Sequence, residues 1–352
     1  MKRGHWFEFG RLIVCAVCAF GVLAATASAV PAASHGVPAA KANDEKKNTI
    51  YAERKQLFEE VSRVTGIPWT YLAAIDQYER ALSIANPRTR PPRQGLIGIH
   101  YSNVEWTGMA NPNRQDTNPA SIALFGGSGR DGSGDGLADL NNDLDVFSAM
   151  VSYLLRYGPS PNDLKTALKE RYHSDKAITR IEQFATIYAA FQTLDLHDHA
   201  FPLPLSADYS YRSTYGASRS WGGFRIHEGT DLFAHYGVPV RSTCYGIVET
   251  MGWNPYGGWR IGLRDLNNVY HYYAHLSGYR KGLRQGDVVK PGQILGWVGS
   301  SGYGKPGTQG KFPPHLHFGL YRDNGKTEWS FDPYPYLKKW ERGERSAKQK
   351  KR

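Results

Sequence analysis

Two periodicities divide this chain. Leu57, Phe58, Val61 and Val64 follow i, i+1, i+4, i+7 spacing, the stripe of an amphipathic helix, and a second helical segment opens at Pro68 and carries Tyr71, Leu72, Ile75 and Tyr78. The signal returns over 143–157, 163–172 and a stretch capped by Ser174 that runs to 194. Residues 86–142, rich in Gly, Asn and Pro, are too long for a plain loop and predict short helices or ordered function. From Phe201 the pattern changes to Pro and Gly punctuation between short β-branched and aromatic runs, at 238–240, 246–249, 259–263, 269–274, 294–298 and 316–321. The expected fold class is therefore α+β multidomain, a mainly α N-terminal part followed by an antiparallel β domain.

The first residues belong to neither pattern. Lys2, Arg3 and Arg11 precede or flank an apolar run over 12–27, and Ala27-Ser28-Ala29 has the form of a cleavage site, so 1–29 reads as a signal peptide, with an uncleaved signal anchor as the alternative. The expected organisation is 1–29 signal, 30–48 linker, 49–199 helical domain, 200–337 β domain and 338–352 basic tail. Of three cysteines only Cys244 lies beyond the signal, which excludes a disulfide framework. The net charge of +11 is concentrated at the C-terminus, where eight Lys or Arg within 338–352 face only Glu341 and Glu344. Such a tail is either a solvated terminus or an adhesive for anionic wall polymers or a membrane surface; export disfavours nucleic acid.

Chemistry gathers in the β domain. His227 and Asp231 stand four apart around Gly229, and His315-Leu316-His317 lies in an alternating run whose period of two puts both imidazoles on one face of a strand. His275 follows the strand-like run VYHYYA, in parity with His271 if that strand is regular. Two His and one Asp are a fitting donor set for a catalytic zinc, with further His left for proton work. His235, His271, His197 and His199 read as ordinary polar, linker or cap residues, with His271 able to support the site from behind, and Cys244 as a buried apolar one.

HEGTD, GVPVRSTCYGIVE, YAHLS, GDVVKPGQILGWVGSSG and HLHFGLY, in that order over about 220–335, closely resemble the lysostaphin-type zinc endopeptidases of family M23. The resemblance implies zinc held by His227, Asp231 and His317, with His315 as the base and His275 steadying the oxyanion. It implies a substrate of bacterial peptidoglycan. With SWGGFRIHEGTD and an upstream helical domain, the chain looks most like the sporulation-type L-alanyl-D-glutamate endopeptidases.

The segment VTGIPWTYLAAIDQYER resembles the catalytic helix of lysozyme-like lytic transglycosylases, which makes Glu79 the candidate acid. Arg80 stands where that family has Ser, and a cation paired with the acid would lower its pKa. DGSGDGLADLNN resembles the EF-hand-like loop of the same enzymes: Asp131, Ser133, Asp135, Gly136 and Asp139 fall on calcium-loop positions, while Asn142 replaces the bidentate Glu. The expectation is thus an exported zinc peptidase with a glycan-binding or glycan-cutting helical domain. The alternatives are a bifunctional enzyme and a noncatalytic activator of another hydrolase.

Overall fold

The computed structural model describes residues 39–219 and 225–350. The expected signal at 1–29 lies outside them. Two compact units form, one reaching Tyr188 and including Gln192–Asp195, the other comprising Ala189–Phe191 and the chain from Leu196. Among the described residues no helix is long and apolar enough to cross a membrane.

The first unit is helical: α1 (Ala39–Thr65), α2 (Trp69–Ala85), α3 (Asn103–Thr107), α4 (Pro119–Leu124), α5 (Asp143–Leu155), α6 (Pro161–Tyr172) and α7 (Asp175–Phe191). Helix α1 begins at Ala39, so the expected linker over 30–48 is in part the first turns of a helix. Leu57, Phe58 and Val61 are buried, whereas Val64 is exposed because the stripe runs out as the helix ends at Thr65. Gly66, at φ 74°, donates to the Ser62 carbonyl and closes that end. Ser160 and Asp163 form a capping box at α6, with Pro161 in the first turn. Ser174 caps α7, which stops at Phe191 rather than 194, Gln192 turning left-handed. The Gly-rich region between α2 and α5 holds α3, α4 and a chain of side-chain-to-backbone turns. Phe58 meets Phe147 edge-on at 5.4 Å in the core, and the buried Asp76 takes hydrogen bonds from Arg54 at 2.6 Å and Arg80 at 2.8 Å.

The second unit is built on antiparallel strands β1 (Tyr209–Tyr211), β2 (Ser218–Arg219), β3 (Arg225–Ile226), β4 (Thr230–Ala234), β5 (Pro239–Arg241), β6 (Gly246–Asn254), β7 (Gly258–Asp265), β8 (Val269–Tyr279), β9 (Val288–Val289), β10 (Ile294–Val298), β11 (His315–Asp323) and β12 (Glu328–Phe331). The order β1-β4-β11-β8-β7-β6-β9 forms the main sheet; β10 joins β8 to β5, and β12 pairs with β11. β2 and β3 make a separate ribbon. One face of the sheet carries Val248, Ile261, Tyr273, Leu276, Leu316 and Phe318 into the core.

Helix α8 (Tyr334–Gln349) covers part of that core. The run at 338–352, expected as a basic tail, is for most of its length this helix: Leu337 and Trp340 are buried, Glu341 accepts from Tyr209 and Tyr211, and Glu344 is bridged by Arg241. Its apolar stripe and its two acids point inward, leaving the cations outward, which an overall charge count does not reveal.

Candidate active site

The central pairing is β4 against β11, whose register sets Asp231 opposite His317 and Phe233 opposite His315. Cross-strand partners share a face. Alternation then turns His315 and His317 away from the core while Leu316, fully buried, enters it. Gly229 lets this happen at close quarters: a Cβ there would stand 2.6 Å from the Phe318 carbonyl and 2.7 Å from the His317 ring.

His275 arrives by a different route. Tyr272 lines the groove while Tyr273 is buried in the core, so regular alternation would send residue 275 into the core. Between the pairs Trp259–Leu276 and Ile261–Tyr273, β8 has one residue more than β7, a bulge. Within it His275 takes φ 62°, donates its N–H to Gly257 and swings onto the groove side. The parity of His271 with His275 therefore fails. His271 lies across the sheet in the core, between Thr243 at 2.7 Å and Asp265 at 3.2 Å, and does not support the site. His199 stacks on Trp340 and His235 is exposed beside Asp208. Cys244 is buried, and burial pushes its thiol pKa well up.

His227 Nε2 and His317 Nδ1 each lie 3.1 Å from Asp231 Oδ1 and 2.8 Å from one another. His227 donates Nδ1–H to the Thr214 carbonyl at 2.8 Å, which leaves Nε2 as the ring nitrogen that faces the cluster. Two imidazole nitrogens and a carboxylate oxygen crowded on one point are a donor set that a divalent cation satisfies, and among the described residues this is the one group of metal-binding type. Burial alone would raise the Asp231 pKa, but its close contacts with the His227 and His317 rings hold it well below the usual carboxylate range. Burial lowers His317, against the pull of Asp231, and burial with the neighbouring His315 and His317 holds His275 well below an ordinary imidazole.

Across the groove, His275 Nδ1 donates to the Ser301 carbonyl at 2.7 Å and His315 Nδ1 to that of Pro313 at 2.9 Å. Both rings thereby present Nε2, and their centroids are 4.8 Å apart. The cavity, about 560 Å³, is also walled by Arg225, Tyr256, Tyr272, Tyr303, Phe312 and Tyr321. Sequence reasoning passed over these residues and the carbonyls that set the tautomers. Phe312-Pro313-Pro314, directly ahead of His315, and Arg225, two before His227, were the available signals.

The helical unit treats its candidates differently. Glu79 is fully buried on α2, accepts from Tyr172 Oη at 2.6 Å and is paired with Arg90, while Arg80 turns instead to Asp76. In the acidic loop Asp131 accepts from the N–H groups of Gly134 and Gly136, Asp135 from Leu137, and Asp139 from Asn141. The Ser133 N–H goes to Asp145, and Asn142 caps α5. The expected calcium loop finds no support here: these side chains brace turns, and no cluster of metal-binding type forms there among the described residues.

A sheet that delivers two His and an Asp to one point, with two further imidazoles facing them across a groove, has the arrangement expected of a metal-dependent hydrolase. The sequence profile of peptidase family M23 matches residues 225–330. Over 299 residues, 85% of this chain and 91% of the relative, the chain is 52% identical to the L-Ala–D-Glu endopeptidase of Bacillus subtilis. It is 40% identical to lysostaphin of Staphylococcus staphylolyticus over 115 residues, 32% of this chain and 22% of that protein. The crystallised catalytic domain of lysostaphin from Staphylococcus simulans aligns over 40% of this chain and 99% of its own length at 34% identity, with a TM-score of 0.32. The chain belongs to peptidase family M23, and it is an enzyme that hydrolyses peptide bonds.

Proposed function

We propose that the chain is an exported zinc endopeptidase that cuts the L-alanyl–D-glutamate bond of peptidoglycan stem peptides. The observation that carries this reading is the 52% identity over 299 residues with the Bacillus subtilis enzyme of that specificity, a span longer than the sheet unit. His227, Asp231 and His317 are the zinc donors in this reading. When bound, zinc supplies Lewis acidity and makes water a nucleophile near neutral pH.

The remaining work falls to the two imidazoles outside the donor cluster. His315, its Nε2 3.7 Å from the Asp231 carboxylate, takes a proton from the attacking water, and that negative charge favours the imidazolium formed. It then returns the proton to the D-Glu nitrogen as the C–N bond breaks, leaving a carboxylate on L-Ala and a free amine on D-Glu. His275 steadies the tetrahedral oxyanion in its form protonated at Nε2, where the developing negative charge offsets the desolvation that opposes charging the ring. The left-handed backbone at His275 holds the ring in place beforehand.

The helical unit is, in this proposal, a lysozyme-like module that holds glycan without cutting it. Support comes from Glu79, whose oxygens are engaged by Arg90 and Tyr172, whereas a general acid needs a proton to give. The domain reading keeps the signal at 1–29 and extends the peptidase domain through α8. A complete set of five site residues favours an enzyme over a noncatalytic activator.

Mass spectrometry of fragments released from purified peptidoglycan by the zinc-loaded full chain tests this reading. New D-Glu amino termini are expected. Termini from another residue alone would overturn the bond assignment, and anhydro-muramyl ends that disappear in Glu79→Gln would establish Glu79 as a second catalyst.

A further inference from the structure

Arg225 opens β3 two residues before His227, and on an extended chain residues two apart face the same side; both line the groove. The Arg225 guanidinium lies 5.0 Å from the Tyr256 ring centroid and 6.0 Å from that of Tyr303, so two aromatic side chains hold it in place. Among the described residues lining the cavity it is the only Lys or Arg. Its contact with Tyr303 Oη is stretched to 3.5 Å, and its buried Nε–H has no hydrogen-bond partner among the described residues. The nearest acid in the lining by sequence, Glu228, accepts from Tyr321 Oη at 3.3 Å.

A guanidinium fixed beside aromatic rings with an unspent donor is a receptor for a planar anion, because its fork matches the two oxygens of a carboxylate. Burial makes the unused N–H costly until such a ligand arrives. An L-alanyl–D-glutamate bond places a carboxylate close to the reacting carbonyl. The D-Glu residue continues the stem peptide through its γ-carboxyl, so its α-carboxylate hangs free on the carbon next to the scissile nitrogen. A bond between two glycines of a cross-bridge carries no such charge.

We propose that Arg225 binds the free α-carboxylate of the D-Glu residue on the leaving side of the scissile bond and so determines which bond is cut. This rests on the bond assignment made above. The guanidinium contributes affinity and orientation, and the five site residues perform the hydrolysis.

The test uses the zinc-loaded full chain and two synthetic stem tetrapeptides, one with the D-Glu α-carboxylate free and one with it converted to the carboxamide. The parent should favour the acid over the amide by about 10- to 100-fold in kcat/KM, the range expected for losing a charged hydrogen-bond pair. In Arg225→Gln that ratio should fall to near one, while Arg225→Lys, which keeps charge without the fork, should fall between. Zinc content and circular dichroism equal to the parent's would show that the variants are folded. Titration of the D-Glu-terminated product peptide and its α-amide by calorimetry should give the same ranking without turnover. An acid-to-amide ratio near one in the parent, or a ratio unchanged in Arg225→Gln, overturns the assignment to Arg225 and leaves the bond assignment standing. Failure of the parent to cut either peptide while still releasing fragments from peptidoglycan overturns the bond assignment, and the role of Arg225 with it.

Discussion

Within HLH, one imidazole sits in the donor cluster and the other faces it, and the two have separable phenotypes. His317→Ala, like His227→Ala and Asp231→Ala, should lower zinc content, because removing one of three donors cuts affinity by orders of magnitude. His315→Ala and His275→Ala should keep near-stoichiometric zinc and lose about 10²- to 10⁴-fold in turnover. Metal analysis beside kinetics separates the two groups; zinc lost from His315→Ala but retained in His317→Ala would reverse the assignment. Gly229→Ala tests the cradle without replacing a donor. Its new Cβ would press on the His317 ring from 2.7 Å, so zinc affinity should fall by about 10- to 100-fold, the loss typical of disturbing what orients a ligand. Unchanged zinc affinity in a folded Gly229→Ala would mean that β4 and β11 can part at no cost. His315 and His317 were legible in the sequence because a period of two fixes which side chains share a strand face. Arg225 was not, since its meaning depends on Tyr256 and Tyr303, which lie far along the chain.

At the level of elements, α8 reverses an expectation drawn from charge. Deleting 338–352 would remove Trp340 and both inward-facing acids, so the sheet unit should be destabilised rather than merely lose wall adhesion. Trp340→Ala alone should cost about 3–5 kcal/mol of unfolding free energy, read by denaturant titration of the sheet unit's transition. A loss below 1 kcal/mol would return the segment to the role of a tail. The β8 bulge is a second element-level event. It changes the parity of one strand, putting His275 on the groove side and leaving His271 in the core. Hydrophobic alternation located β8 well enough, but one inserted residue is invisible to a pattern that assumes a regular strand.

On the scale of the whole molecule, acid should unfold the helical unit through Asp76. Burial opposes its charge, but Arg80 and Arg54 outweigh burial, and its folded pKa lies below the ordinary value. A carboxyl group with a depressed pKa contributes stability that is fully present above its unfolded pKa, roughly 4, and is lost as pH falls through the folded value. Calorimetry from pH 7 to pH 3 should therefore show this unit's melting temperature falling at the acid end. Asp76→Asn should flatten that dependence and cost about 3–5 kcal/mol at neutral pH by leaving two cations without their partner. An acid limb as steep in Asp76→Asn as in the parent would assign the effect elsewhere.

By itself the sequence determined the helical and antiparallel halves, the helix starts at Pro68 and Ser174, and the residue types, His and Asp, from which a zinc donor set is drawn. Each of these follows from local rules: side-chain periodicity, capping chemistry, and the preference of zinc for nitrogen and carboxylate ligands. Tertiary structure alone decided which side of the sheet received His275, what the cations of α8 conceal, why the acidic loop spends its side chains on its own backbone, and which cation opens onto the groove. Those outcomes turn on strand register, on what packs against a helix and on which partner reaches a polar group first. All three are contacts between residues distant in sequence, which no local pattern encodes.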